Sequence, residues 1–460
     1  VHEAARLASG VFTLLALTFI LLAARELHGR EQAPAAPLLL AGSIGFLFHA
    51  HEAQPMLAAL SAHCAAYWGL AQIERRPRPG AVYFGGALAL GCLANGLAPM
   101  LLLLPAAAIV AWQSTKRKQT SLHLLGSILV AGVIVVLWLA ILGLSSGDYL
   151  SSYWQEELDQ LAGHPQPLLS MQRLLSMLPW YAWPALPLAA WTLWAKRQQL
   201  NTSSLQLPLL SFSIALLVVG GWLGTRSAMA LLLLPPLVLL AVPGIAVLRR
   251  GAANAFDWFG MITFSVFALL AWLGWTAMIF GWPQHLNRQF LRLEPGFIGN
   301  PDWPAVFIAA LGTATWIWLI ATSPRSPMRG SMHWMSGLTL FWLLMAMLWM
   351  PWWDYGKSYR LPATSLRDFL PESRDCIASS NLSEAMQASL DYFSAIQTLP
   401  WRSKKGEACS WLLVYGTPNE IDSGSWRKVW KGGRPVDHKE HEKLRLYRRN
   451  TKPDRAMTAR

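Results

Sequence analysis

Long apolar runs, separated by short polar breaks, recur from residue 8 to residue 353. They are continuous rather than alternating, which excludes the two-residue period of a membrane β-barrel. A helix needs roughly 20 apolar residues to cross a hydrocarbon core about 30 Å thick. By that measure the runs predict twelve helical spans, over 8–24, 37–50, 55–73, 81–95, 97–112, 122–143, 179–195, 207–224, 228–248, 259–281, 305–323 and 334–353. The expected fold class is an all-α polytopic membrane protein with a tail of another kind. From Asp354 to Arg460 no run is long enough to span, Pro and Gly turns recur, and Trp411–Tyr415 reads as a strand. The expected organisation is a multi-spanning domain over 1–353 and a small α+β domain over 354–460.

Composition agrees, with 54% hydrophobic and 14% charged residues, where an ordinary soluble domain carries about 25% charged. A soluble enzyme and a disordered chain are both excluded. The net charge of +13 raises the question of nucleic acid, but no basic stretch falls in a nucleic-acid-binding motif. The tail holds 19 of the 38 Lys and Arg, and the rest follow the loops. Arg25, Arg30, Arg75, Arg76, Arg78, Lys116, Arg117, Lys118, Lys196, Arg197, Arg249, Arg250, Arg325 and Arg329 make 14 on one side, against 5 on the other: Arg6, Arg173, Arg226, Arg288 and Arg292. The positive-inside rule puts the first set in the cytoplasm, and so the N-terminus and the tail outside. Val1 to Arg6 lacks the basic start and cleavage site of a secretory signal; a chain beginning outside implies a further crossing before residue 1. Cys64 and Cys92 sit in apolar spans as packing residues, whereas Cys376 and Cys409, alone in an outer tail, are expected to pair.

Polar groups at the rim of an apolar bundle are the candidates for chemistry. The densest group is His49, His51, Glu52 and Gln54, between two spans at their outer ends. A carboxylate beside imidazoles serves as a general base or a metal ligand, and the alternative is a turn that faces water. Positions 49 and 51 do not share a helix face, so a two-His metal site within one helix is not expected. The outer loop 144–178 carries Asp148, Glu156, Glu157 and His164, and Tyr153, Trp154 and Glu157 fall on one face of an interfacial amphipathic helix. Arg226, in a short turn before 228–248, is placed to hold a lipid phosphate, or simply to snorkel to the headgroups. Asn95-Gly96 is a polar break between two short spans. Glu52 with His164 is the candidate pair for a divalent metal.

These pieces resemble a known family. Ala5-Arg6-Leu7 leads into the first span, and the turn His51–Gln54 follows later. Trp154–Asp159 precedes His164-Pro165 and Leu178-Pro179-Trp180, and Arg226 precedes Leu231 to Pro236. Over residues 1–325 the chain is similar to bacterial polyprenyl-phosphate-sugar glycosyltransferases of the GT-C superfamily, related to lipid A aminoarabinose transferase and protein O-mannosyltransferases. The resemblance implies a multi-pass protein of the bacterial cytoplasmic (inner) membrane with a periplasmic C-terminal domain. It would transfer a sugar, with inversion, from a polyprenyl-phosphate donor to a glycan, lipid A or protein acceptor. Arg226 would hold the donor phosphate, Glu52 would act as base, and Gln54, Asn95, Glu156 and Asp148 would contact donor or acceptor. The family's first span and first outer loop, which carries its catalytic Asp, have no counterpart within this sequence. Asn95-Gly96 stands where the family often has Lys-Gly, Ala230 where an aromatic is common, and no Arg-Phe occurs near Leu161. Two other readings follow from the same features. A catalytically incomplete relative would act as a scaffold or accessory subunit. A transporter of lipid-linked substrate would carry ionisable groups at mid-membrane depth, and here the polar residues gather at the outer ends instead.

Overall fold

The computed structural model describes residues 2–145, 147–224, 228–371, 375–401, 403–416, 425–437 and 439–450. In chain order its helices are α1 (His2–His28), α2 (Ala35–Ala41), α3 (Ile44–Ala50), α4 (Met56–Gln72), α5 (Pro77–Asn95), α6 (Leu97–Leu101) and α7 (Leu103–Gln113). They continue with α8 (Arg117–Ser145), α9 (Gly147–Leu161), α10 (Pro167–Tyr181), α11 (Ala185–Ala195), α12 (Ser203–Val218), α13 (Leu234–Ala246) and α14 (Arg250–Phe280). After them come α15 (Gln284–Leu293), α16 (Trp303–Thr322), α17 (Arg329–Leu344), α18 (Met350–Lys357) and α19 (Arg360–Phe369). Strands β1 (Ile377–Ser380), β2 (Thr398–Pro400), β3 (Trp411–Tyr415), β4 (Trp426–Gly432) and β5 (Leu444–Arg449) follow, with α20 (Glu384–Ser394) and α21 (Lys404–Glu407) between them. The chain is a helical multi-pass membrane protein with a small C-terminal sheet.

Among the described residues, seven helices are long and apolar enough to cross a membrane: Leu7–His28, Arg117–Ser145, Ser203–Leu223, Met229–Ala246, Arg250–Phe280, Trp303–Thr322 and Arg329–Lys357. Leu97–Gln113 and Ala185–Ala195 are shorter apolar helices. Two of the expected runs change character. The run 37–50 is split into α2 and α3, seven residues each, at Gly42 and Ser43. The carbonyl released at Gly42 accepts a hydrogen bond from the Trp334 indole N–H (2.8 Å), so the break leaves no buried orphan there. The run 179–195 is likewise two helices, because Pro184 lacks an N–H and keeps the residue before it out of helical geometry. The helix on its N-terminal side, α10, reaches back into the expected loop 144–178.

The residues divide into two compact units, 1–265 with 316–339, and 266–315 with 340–460. In the first, α13 is the central element: every residue from Leu234 to Ile245 is buried, the pattern of a helix enclosed on all sides. Pro235 and Pro236 fall in its first turn, where a missing N–H costs no intrahelical bond. The faces that α8 turns outward carry Leu122, Leu129, Val133 and Val136, all exposed, as expected for residues that meet acyl chains. α4 and α5 approach backbone to backbone: a Cβ on Gly69 would lie 2.7 Å from the Phe84 nitrogen, and one on Gly80 2.8 Å from the Gly69 carbonyl oxygen. Close contact through small residues is the membrane substitute for a hydrophobic drive between helices.

The second unit contains a five-stranded mixed sheet in the order β2-β1-β3-β5-β4. β1 is parallel to β2 and β3, and β5 is antiparallel to β3 and β4. Trp411 and Leu413 pack on one face with Leu366, Leu390 and Leu446; Leu412 and Val414 pack on the other with Ala378 and Trp426. This alternation is what a two-residue period requires of a sheet covered on both sides. Ser383 caps α20 by accepting from the Met386 N–H at 3.3 Å. Cys376 and Cys409 are joined in a disulfide across 33 positions. Closing a loop of that length should stabilise the sheet unit by about 4 kcal/mol through the unfolded chain. Cys409→Ser is expected to lower the unfolding temperature of this unit, read by thermal denaturation of the full chain. An unchanged transition would show that the bridge is energetically idle.

Candidate functional site

The break between α5 and α6 is where the site is built. Gly96 has φ +82 and ψ −174, a conformation open essentially to glycine alone. It turns the chain so that the Leu97 N–H donates to Glu157 Oε2 at 3.1 Å. A Cβ on Gly96 would sit on Glu157 Oε1. Glu157 is thus a buried carboxylate, only 4% exposed, seated directly against a glycine. We expect Gly96→Ala to strain the backbone by about 1–3 kcal/mol and to displace that carboxylate. Thermal unfolding together with turnover tests this, and an unaltered unfolding temperature would refute it.

Glu157 does not act alone. With Tyr153 and Gln160 it forms an i, i+4, i+7 stripe on α9 that lines a cavity of about 400 Å3. Gln54, Met56, Asn95, Gly96 and Trp138 line the same cavity. Trp154 is on the exposed flank of α9, not on the inward stripe, and meets Tyr153 edge to face with ring centres 5.9 Å apart. Asn95 approaches Met56 Sδ through its amide nitrogen at 4.0 Å. The Gln160 Oε1 oxygen is buried with no hydrogen-bond donor among the described residues. Such an acceptor is costly unless something else satisfies it. Met56, Leu93, Trp138 and Met229 supply the apolar part of the wall.

A second cluster adjoins through Gln54. His49 ends α3, is buried, and lies 6.2 Å ring to ring from Tyr181 of α10. Its Nδ1–H donates to Glu52 Oε2 at 2.6 Å, and the Gln54 amide donates to the same oxygen at 2.7 Å. The Glu52 carbonyl accepts from the Ser9 hydroxyl of α1 at 2.9 Å. Glu52 is therefore a half-exposed carboxylate whose orientation is set by a buried imidazole. His51 follows α3 and is exposed. Partial loss of water around its imidazole pushes its pKa below the usual histidine value, and Glu52 opposes the shift.

His164 is elsewhere in the turn after α9. Its backbone N–H donates to the Trp222 carbonyl at 2.7 Å, its Nδ1 accepts from the Gln166 N–H at 3.1 Å, and its ring packs on Gly224. The structure thus ties Glu52 to His49 and Gln54, and His164 to different neighbours. Among the described residues no three His, Cys, Asp or Glu side chains gather to hold a metal. Arg226 lies outside the described residues, between Gly224, which meets His164, and Ala228, which lines the cavity. Asp148 and Glu156 belong to α9, and their side chains are outside the described set. Trp138, Gln160 and Tyr181 were not singled out by sequence; Tyr153 was, on one helix face with Glu157, and the i, i+4, i+7 spacing of 153, 157 and 160 is the signal that extends that face to Gln160.

No family model matches the sequence, and no curated protein matches it. Solved structures do. ArnT from Cupriavidus metallidurans bound to undecaprenyl phosphate superposes with a TM-score of 0.65 and 14% identity, over 96% of this chain and 83% of that one. The apo state of the same protein gives 0.61, with 14% identity and the same coverage. A likeness at this identity is one of fold, and the chain shares the polytopic fold of the ArnT structures.

Proposed function

We propose that the chain is an integral membrane glycosyltransferase that takes a sugar from a polyprenyl-phosphate donor. The observation that carries this reading is the 400 Å3 cavity, which gathers Gln54, Asn95, Glu157 and Gln160 from three separate segments beside an apolar wall. The ArnT fold, seen with undecaprenyl phosphate in that protein, supports the choice of donor. In the reaction, a carboxylate removes the proton of an acceptor hydroxyl, whose oxygen attacks the anomeric carbon from the face opposite the phosphate. The sugar–phosphate C–O bond breaks with its electron pair going to the phosphate, and the configuration inverts. Glu157 is the carboxylate in the cavity and takes the proton. Glu52, oriented by His49, fixes Gln54 in the lining, and the unpaired Gln160 oxygen accepts from a sugar hydroxyl. Arg226 stabilises the departing phosphate.

Domain roles follow the charge pattern: 1–353 is the membrane-embedded catalytic part, 354–460 the soluble part, and the Glu52 rim faces the periplasm. Cys64 and Cys92 are buried, and Cys376 and Cys409 are paired. A thiol introduced by Glu52→Cys should therefore report alone. It is expected to react with an impermeant maleimide added outside the inner membrane, and labelling only after the membrane is opened would reject this orientation. Function is tested by incubating the purified full chain with a panel of lipid-linked sugar donors and following release of polyprenyl phosphate. Release with one donor class supports the enzyme. Release with none, while polyprenyl phosphate still binds, returns the accessory-subunit reading.

A further inference from the structure

The two ends of α13 open on different cavities. Ala228 and Met229, just ahead of it, line the candidate active site, whereas Ile245 and Ala246 at its C-terminal end line a second cavity of about 710 Å3. That volume is within the roughly 300–1,000 Å3 range of small-molecule sites. Arg250, Arg325 and Arg329 line it, against the single carboxylate of Asp257.

Asp257 is already engaged. Its Oδ1 accepts from His333 Nδ1–H at 2.6 Å, and its Oδ2 lies 3.2 Å from Arg329 Nε. On the far side of the buried imidazole, His333 Nε2 meets Ser323 Oγ at 3.1 Å. This series of contacts fixes Arg329. It leaves Arg250 and Arg325, both exposed, with no ion-pair partner among the described residues. The cavity therefore carries uncompensated positive charge. Two long helices add to it, since α14 begins at Arg250 and α17 at Arg329, and Gly330 and Ser331 of the first turn of α17 are in the lining. First-turn N–H groups have no intrahelical acceptor, and the dipole is positive at that end.

The rest of the wall is apolar: Leu188, Ile245, Leu248 and Phe256. Such a surface suits an amphiphile better than a free inorganic anion. Depth argues the same way. Next to Leu248, the Val247 carbonyl accepts from the Trp191 indole N–H at 3.3 Å. Arg249 lies 5.9 Å from both Trp191 and Trp194, and Arg197 lies 5.5 Å from Trp194, whose ring is exposed. Exposed tryptophan under guanidinium is the signature of headgroup level.

We infer that this second cavity binds the phosphate headgroup of an anionic lipid, with Arg250 and Arg325 on the phosphate oxygens and Arg329 held in place by Asp257. The site is separate from the candidate active site and does not depend on the glycosyltransferase reading. The test uses the full chain, delipidated in detergent and mixed with phosphatidylglycerol, phosphatidylcholine or inorganic phosphate. Bound lipid is counted by native mass spectrometry, and unfolding temperature is measured in parallel. Phosphatidylglycerol is expected to be retained and to raise the unfolding temperature, with phosphatidylcholine and inorganic phosphate doing neither. Arg250→Gln with Arg325→Gln should weaken phosphatidylglycerol retention at least fivefold. Arg197→Gln, at the same end of the bundle but outside the cavity, should leave it unchanged. Equal retention of the two lipids overturns the inference, as does equal loss in Arg197→Gln. Protection by inorganic phosphate alone would assign the cavity to a free anion and overturn the lipid. Should the double variant fail to fold, the preference of the unaltered chain between the two lipids decides the matter.

Discussion

Glu157→Gln should lower sugar transfer from a polyprenyl-phosphate donor by about a hundredfold, the lower end of what a positioned general base contributes. Gln is nearly the same size, and its carbonyl oxygen can still accept from the Leu97 N–H that now meets Glu157 Oε2. The seat against Gly96 is also preserved, so the unfolding temperature should change little. The substitution removes the charge and the ability to take a proton, and exchanges the second carboxylate oxygen for an NH2 donor. A loss in turnover with donor binding intact would place Glu157 at the reacting hydroxyl. Near-normal turnover would reduce the residue to a cap on the break between α5 and α6, and the base would have to be sought at Glu52, which a buried imidazole already orients.

Arg226→Ala should reduce turnover at least tenfold, equivalent to about 1.4 kcal/mol in barrier. A cation aimed at the departing phosphate acts most strongly when charge has moved onto it, so the loss should fall on the rate more than on donor affinity. Arg226→Lys restores charge without the fork geometry and should recover part of the rate. Equal turnover in the unaltered protein and Arg226→Ala would leave the arginine as a headgroup anchor.

What the sequence discloses about this molecule follows the range of the forces involved. Apolar runs are local, and so most helices were legible, as was the strand Trp411–Tyr415. The break at Gly42 and Ser43 was not, because its carbonyl is satisfied by Trp334, 292 positions away. The same contrast runs through the site. Charged and amide groups such as Glu52, Asn95 and Glu157 are conspicuous against an apolar background. Gly96 was visible only as a turn, since its part in seating Glu157 is a matter of φ and of a carboxylate 60 residues on from Leu97. Tyr181 and Trp138 look like any membrane aromatics until the folded chain places them beside these groups.

The C-terminal sheet ends, on one margin, in β2, three residues long and closed by Pro400, and on the other in β4, where Arg427, Lys428 and Lys431 are exposed and the register slips between Lys428 and Trp430. Proline, lysine-rich faces and bulges are the means by which free margins refuse a partner strand. Neighbouring copies crowded on a bilayer can therefore collide through these margins without templating one another into aggregates.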